Sequence, residues 1–412
     1  MIDPFVLELL IFQRIKLTTK YAIIIPDGAA DDPIDLFEGK TVIEAADIPN
    51  IDNISTNGKQ GIVQTVPPDM TPGSDVALMS LLGYDPKQHY TGRAPLEAAA
   101  KDITLAPDDW VFRCNLVTIA DNLMADHSAG HISNEEASNL INEFADALSD
   151  DRLRFYNGIS YRHLCVISGV QFKVHTQPPH DIIGQKISKN LPHGKNADLL
   201  CDIMARSQQL FENHQINRVR RDLGENPVSS VWLWGQGQKA YLESFHKRFG
   251  INGVAITAVD LVKGLAKLIG FDLIEVPGAT GFADTNYVGK GRAAIDALEN
   301  YDLVFVHIEA PDEAGHSGNA QLKKETLEQI DRYIVGPVHQ AIKKYENYRI
   351  LVMPDHPTPV ATRAHSGDPV PFAMDGTGIN GILQKGFCEA NAHESGFRVE
   401  KGSEMMEYFL KI

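Results

Sequence analysis

Three stretches of the chain repeat one pattern, an apolar run of strand length that ends in a polar cluster led by an acid. They are "YAIIIPDGAADD" at 21–32, "YDLVFVHIEAPDEAGH" at 301–316 and "YRILVMPDHPTPV" at 348–360. Unbroken Ile, Val, Leu and Phe predict strands buried on both faces, as in a parallel sheet covered by helices. Helical spacing of apolar residues lies between them, in "GRAAIDALEN" and "LKKETLEQIDRYIVGPVHQAIKKYEN". The sum predicts an α/β fold built on a doubly wound, mainly parallel sheet. Ligands of such sheets bind outside the carboxyl ends of the strands, and all three acidic clusters fall there.

The middle of the chain breaks this pattern. Residues 80–255 carry strand candidates of their own, "WVFRCNLVTI", "RHLCVISG" and "VSSVWLWG", with the helical runs "NEEASNLINEFADALS" and "NADLLCDIMARSQQLFENH". No triplet of strand-end acids occurs among them. They predict a second α/β domain inserted into the first, which is formed by 21–79 and 256–412. The chain is expected to return to the main sheet near "AVDLVKGLAKLIGFDLIEVPG". Residues 1–20 read as an N-terminal extension that supplies no ligand, and the first 19 are expected to be dispensable for catalysis.

Composition narrows the partners more than the fold. The 412 residues are 43% hydrophobic and 22% charged, ordinary for a globular protein. A net charge of −16 argues against nucleic acid or an anionic membrane as partner, so an anionic substrate needs a local positive site. The apolar stretch from Phe5 to Phe12 is interrupted by Glu8 and falls short of the roughly 20 residues a membrane span needs. Cys114, Cys165, Cys201 and Cys388 form no CxxC pair, which fits a reducing cytoplasm rather than a disulfide framework.

The candidate chemistry sits in the strand-end clusters. Asp27, Asp312, His316, Asp355, His356 and His365 combine carboxylate and imidazole ligands, a mixture that suits Mn, Zn or Co and tolerates Mg where oxygen dominates. Taken singly, Asp27-Gly28 reads as a turn, and "PDHP" as a proline-framed one. Together, each after a buried strand, they offer enough groups for two metals, the arrangement used for in-line phosphoryl displacement. Ser74, in "TPGSDVALMSLLG", is the nucleophile candidate. Its other reading is a helix N-cap, yet a serine at a helix start also meets the end of the dipole where a phosphate is stabilised.

The set Asp27, Ser74 in "TPGSDVA", "APDEAGH", "PDH" and "AHSGDPVPF" resembles the cofactor-independent phosphoglycerate mutases of the alkaline phosphatase superfamily, in their shorter, archaeal-type branch. The likeness runs through "YTGRAPLEAAA", "SYRHLCVI", "WLWGQG" and "GATGFADTNYVGKG", nearly the whole chain from Tyr21. It implies that Asp312, His316 and His365 hold one metal, and Asp27, Asp355, His356 and the nucleophile Ser74 the other. Two divalent ions per chain are then expected, Mn2+ or Mg2+ first and Zn2+ or Co2+ as alternatives. The resemblance implies interconversion of 3-phosphoglycerate and 2-phosphoglycerate in glycolysis and gluconeogenesis through a phosphoserine. The alternative is a metal-dependent phosphatase or another phosphotransferase, homoserine-kinase-like, with the same centre. It also implies that basic residues of the inserted domain bind a small phosphorylated substrate. Candidates are Arg162 and His163 in "SYRH", His131 in "SAGHIS", Arg218 and Arg221 in "NRVRR", and Lys263 in "VDLVKG". Trp232 and Trp234 alternate in strand fashion and read as core.

Overall fold

The structure, a computed structural model, describes residues 19–410. Most of the expected extension, and with it the dispensability of the first 19 residues, therefore lies outside the described residues. Lys20 does not belong to an extension, because it opens the first strand and its Nζ donates to the Tyr301 carbonyl at 2.8 Å.

In chain order the strands are β1 (Lys20–Pro26), β2 (Lys59–Val63), β3 (Trp110–Ala120), β4 (Leu123–Asp126) and β5 (Leu153–Ile159). They continue with β6 (Arg162–Ile167), β7 (Lys173–His175), β8 (His193–Lys195), β9 (Ser230–Gln238) and β10 (Gly253–Ile256). The last are β11 (Asp272–Leu273), β12 (Leu303–Ile308), β13 (Tyr348–Val352), β14 (Val370–Gly376) and β15 (Arg398–Val399). The helices that matter here are α1 (Ser74–Leu81), α2 (Asn134–Leu148), α3 (Ala197–Glu212), α4 (Tyr287–Ala297), α5 (Ala310–Ser317) and α6 (Ala320–Ile330).

The described residues divide into two compact units, one of residues 19–90 with 241–410 and one of 91–240. The larger unit is built on an eight-stranded sheet in the order β11-β10-β12-β1-β13-β14-β2-β15. Its pairings are parallel except those that β14 makes with β13 and β2. The apolar runs explain the centre. Every residue of β1 and β12 is buried, and β1 lies between β12 and β13. Register aligns Pro26 with Ile308 and Ile24 with Val352, so the three acidic clusters leave adjacent strands at the same end. The chain rejoins this sheet at β10, slightly before the segment read as its return, because Gly253–Ile256 is already a buried strand paired with β12.

The smaller unit holds a five-stranded sheet, β4-β3-β6-β5 with β9 on β3, and all its pairings are antiparallel. The reason is local. Ser160 and Tyr161 form a two-residue turn between β5 and β6, with Ser160 at φ +53°, and so tight a connection permits only an antiparallel hairpin. Helix α2 starts at a capping box in which the Ser133 and Glu136 side chains each bond the other's backbone amide. Helices α2 and α3 contribute Phe144, Leu140, Met204 and Phe211 to the core, which also takes in Trp232 and Trp234. Among the described residues no helix is long and apolar enough to cross a membrane.

Candidate functional site

Asp27 follows β1 directly, and the next residue lets the chain turn. Gly28 has φ +62°, and a Cβ there would lie 2.5 Å from Asp312 Oδ1 and 2.7 Å from Thr358 Oγ1. No residue with a side chain fits that position. The same close approach explains the glycine between Asp312 and His316. Both acid and imidazole lie on α5, one helical turn apart, and a Cβ on Gly315 would sit 2.5 Å from the Thr358 carbonyl. Helix α5 can therefore press onto the segment that follows β13.

This packing gathers two overlapping groups. Asp312, His316 and His365 form one, with His316 Nε2 3.2 Å from Asp312 Oδ2 and 2.9 Å from His365 Nε2. Asp27, Asp312 and His356 form the other, so Asp312 belongs to both. Asp355 adjoins the second through its Oδ2, 3.5 Å from His356 Nε2. Ser74 is the first residue of α1 and not its cap, a position taken by Gly73. Its Oγ donates to Asp27 Oδ2 at 3.2 Å and lies 3.2 Å from His356 Nε2.

The electrostatics fit divalent cations. Burial, then the charges of Asp355, Glu309 and Asp312, push the Asp27 carboxyl well above the usual range. Burial and Asp312 likewise push Glu309 up to about 8. Bonds from His316 and His365 outweigh burial at Asp312 and hold its carboxyl well below its ordinary value, and the bond to Asp312 raises His316 to about 9. Asp27 Oδ1 and Asp355 Oδ2 are buried without a hydrogen-bond partner. Orphaned carboxylate oxygens facing imidazole nitrogens are what a cation would satisfy. The rings are also oriented for it: His316 Nδ1 is 3.0 Å from the Arg363 carbonyl, which leaves Nε2 for the ion.

The proposed substrate residues do not form one group. Arg162 opens β6 with an exposed guanidinium 5.4 Å from the Tyr161 ring centroid. His163 points the other way, into the protein, and this corrects its reading as a substrate group. It is buried, its Nδ1 accepts the Gly158 amide, and burial pulls its imidazole down to about 3. Arg218 and Arg221 are exposed on helix Gln215–Asp222, where Arg221 donates to the Glu212 carbonyl. Lys263 is in the larger unit, 3.8 Å from both Asp260 and Glu275. His131 closes a left-handed run, Ala129 at φ +49°, Gly130 at +68° and His131 at +51°. Asp126 braces that loop by accepting from Ser128, Gly130 and Asn226, bonds that outweigh its burial and draw its carboxyl down to about 2.

Sequence reasoning missed Arg113. It stacks 4.3 Å from the Trp234 ring centroid, and its Nε is 3.0 Å from Glu97 Oε2. Burial depresses its guanidinium to about 10; Glu97 opposes this, while the charges of Arg93 and Arg162 add to it. Arg93 Nε lies 3.6 Å from Glu97 Oε1, so two guanidinium groups meet this carboxylate, and the charge of Arg162 acts on Arg113 as well. Beside them His180 packs on Trp234, and His127 on Tyr161 and His180. An arginine inside "WVFRCNLV" reads as an interruption of a strand, and only the pairing of β3 with β9 and β6 shows its company.

A mainly parallel sheet whose strand ends gather carboxylates, imidazoles and a helix-start serine is the framework of a metal-dependent phosphoryl-transfer enzyme. Residues 55–217 match the family model described as 2,3-bisphosphoglycerate-independent phosphoglycerate mutase. A protein of that name from Methanothrix thermoacetophila is 46% identical over 95% of this chain and 99% of its own length. The cofactor-independent phosphoglycerate mutase of Thermoplasma acidophilum superposes with a TM-score of 0.66 at 25% identity, covering 95% of this chain and 99% of that one. A solved Pyrococcus horikoshii protein gives 0.80 at 28% identity, covering 95% and 97%. The chain belongs to the 2,3-bisphosphoglycerate-independent phosphoglycerate mutases, a family of isomerases.

Proposed function

We propose that this protein interconverts 3-phosphoglycerate and 2-phosphoglycerate, with Ser74 as the group that carries the phosphoryl between the two hydroxyls. The observation that carries the reading is the position of Ser74 Oγ, 3.2 Å from both Asp27 Oδ2 and His356 Nε2 at the strand-end cluster. Ser74 Oγ gives up its proton and attacks phosphorus, the bond from phosphorus to the substrate oxygen breaks, and that oxygen takes up a proton as glycerate. The second glycerate hydroxyl then loses its proton and attacks the phosphoserine, the bond from phosphorus to Ser74 Oγ breaks, and Oγ takes up a proton to restore the serine. Two divalent cations, Mn2+ or Mg2+ before Zn2+ or Co2+, supply charge stabilisation and lower the hydroxyl pKa when bound. Asp312, His316 and His365 would hold one, and Asp27, Asp355, His356 and Ser74 the other. The reaction belongs in the cytoplasm, in keeping with four free cysteines.

Arg162 and Arg113 are the residues we assign to the substrate carboxylate, because bidentate guanidinium groups match it and the positive charges of Arg93 and Arg162 both bear on Arg113. A mutase has to retain glycerate after its phosphate has left, and a phosphatase does not. The test follows 3-phosphoglycerate with parallel detection of 2-phosphoglycerate and inorganic phosphate. The mutase reading expects 2-phosphoglycerate with little phosphate; phosphate alone would identify a phosphatase, and neither product would refute both. Arg162→Ala is expected to lower mutase turnover about tenfold to a hundredfold, a loss of roughly 1.5–3 kcal/mol for a charge-assisted bond. It should shift the remaining flux toward phosphate release and leave metal content intact. Wild-type rates without added phosphate would make Arg162 a surface charge.

His316→Ala is expected to cost about one bound ion per chain, since it underfills one site of a two-metal centre. Metal analysis of the purified variant checks this, and unchanged stoichiometry would remove His316 from the ligand set.

A further inference from the structure

One buried imidazole at this centre belongs to neither ligand group of the proposed reaction. His307, the fifth residue of β12, is fully buried, and its Nε2 lies 2.7 Å from Asp27 Oδ2. We infer that His307 is a positioning residue that fixes the rotation of the Asp27 carboxylate, so that Oδ1 faces the cation while Oδ2 receives Ser74. The inference rests on the reading of Asp27 as a cation ligand.

Sheet register puts the pieces in line. His307 pairs with Ile25, so it faces the side of the sheet that Asp27, two residues further, also faces. Ile256 pairs with Val306, which brings Thr257 beside His307 from β10. Thr257 Oγ1 accepts the Val259 amide and lies 3.2 Å from His307 Nδ1. Asp27, ionised as a cation ligand, can only accept, so the ring N–H lies on Nε2 and Nδ1 accepts the Thr257 hydroxyl proton. Oδ2 thereby receives both His307 and Ser74, and Oδ1 is left buried and unpaired, 3.5 Å from His356 Nε2. Without His307 the carboxylate can rotate and offer either oxygen to either role.

A rival use of the same atoms is a third cation, since Asp27, His307 and Glu309 present ligand atoms within 4.8 Å of one another. Two observations count against it. Asp27 Oδ2 is already engaged by both His307 Nε2 at 2.7 Å and Ser74 Oγ at 3.2 Å, while Glu309 Oε2 stands 3.7 Å from His307 Nε2. The Lys290 ammonium of α4 donates to the His307 carbonyl at 2.9 Å and already brings a positive charge beside Glu309.

The test measures cation content and affinity by titration against a chelator, alongside steady-state kinetics with 3-phosphoglycerate. Wild type should bind two ions; if it binds none at this centre, the two-metal reading itself fails and the role of His307 with it. Given two, His307→Ala should weaken one of them tenfold to a hundredfold, the usual cost of losing an outer-shell partner. At saturating cation kcat should remain lowered by a similar factor with KM unchanged, because Ser74 then meets a misturned carboxylate. His307→Gln, whose amide can donate from nearly the position of Nε2, should recover most of both. Thr257→Val keeps the ring but loosens its tautomer, and should weaken the same ion several-fold, a second route should His307→Ala fail to fold. Equal affinity and kcat in His307→Ala, a change confined to KM, or a third ion in wild type that this variant loses would each overturn the assignment.

Discussion

Replacing Ser74 by alanine is expected to abolish mutase turnover while the fold survives, a fall of about four to six orders of magnitude, as for removal of a covalent nucleophile elsewhere. The change is small for the structure. Ser74 starts α1 without capping it, and the buried residues that anchor the helix, Val76 to Leu81, are untouched. It is large for the chemistry, because no other hydroxyl is described at hydrogen-bond distance from both Asp27 and His356. Acid-stable phosphate incorporated from substrate should appear on wild type and vanish from Ser74→Ala. Turnover within tenfold of wild type, or labelling that persists, would put the phosphoryl carrier elsewhere. Ser74→Thr is a useful companion. It keeps the hydroxyl but adds a methyl group at the crowded helix start, so partial activity is expected.

The second large effect concerns a lysine far from the reacting atoms in sequence. Lys323 of α6 is completely buried, and its Nζ donates to Asp31 Oδ2 at 2.7 Å, the Thr358 carbonyl at 2.8 Å and the Ala30 carbonyl at 3.1 Å. One ammonium therefore ties the loop after Asp27 to the loop after His356. Thr358 in turn donates to Asp312 at 2.5 Å, so the knot reaches the ligands themselves. Lys323→Met leaves the buried Asp31 carboxylate without its cation, a loss of about 3–5 kcal/mol. Chemical denaturation of the larger unit should show it, and cation affinity should fall with stability. Lys323→Met combined with Asp31→Leu should regain much of the loss, since a buried pair replaced by apolar groups is often tolerated. Lys324→Met, which removes only a partly exposed pair with Glu328, should cost no more than about 0.5 kcal/mol. If Lys323→Met is as mild as Lys324→Met, the buried pair does not hold the two loops.

The strands and ligands of the larger unit were legible for the same reason. A strand covered on both faces must be apolar throughout, so β1, β12 and β13 stand out in composition alone. Metal chemistry accepts few residue types, so Asp27, Asp312, His316, Asp355, His356 and His365 stand out at their ends. Parallel pairing in the larger unit followed from those unbroken runs. The antiparallel sheet of the smaller unit did not, because its direction is decided by the two-residue turn at Ser160 and Tyr161, and strand composition does not record it.

What the sequence determined by itself was the inventory: buried strands, a serine at a helix start, and enough carboxylate and imidazole for metals. Tertiary structure alone decided the company each group keeps. His307 reads as one more residue of an apolar run until β12 lies beside β1 and brings it to Asp27, 280 positions away. Lys323 reads as a surface charge in "LKKETLEQ" until α6 packs over two loops. Arg113 reads as a flaw in a strand until Trp234 and Glu97 close on it. Local sequence sets propensity and chemical type, whereas the desolvation that makes a charge or an imidazole consequential depends on contacts between segments distant in the chain.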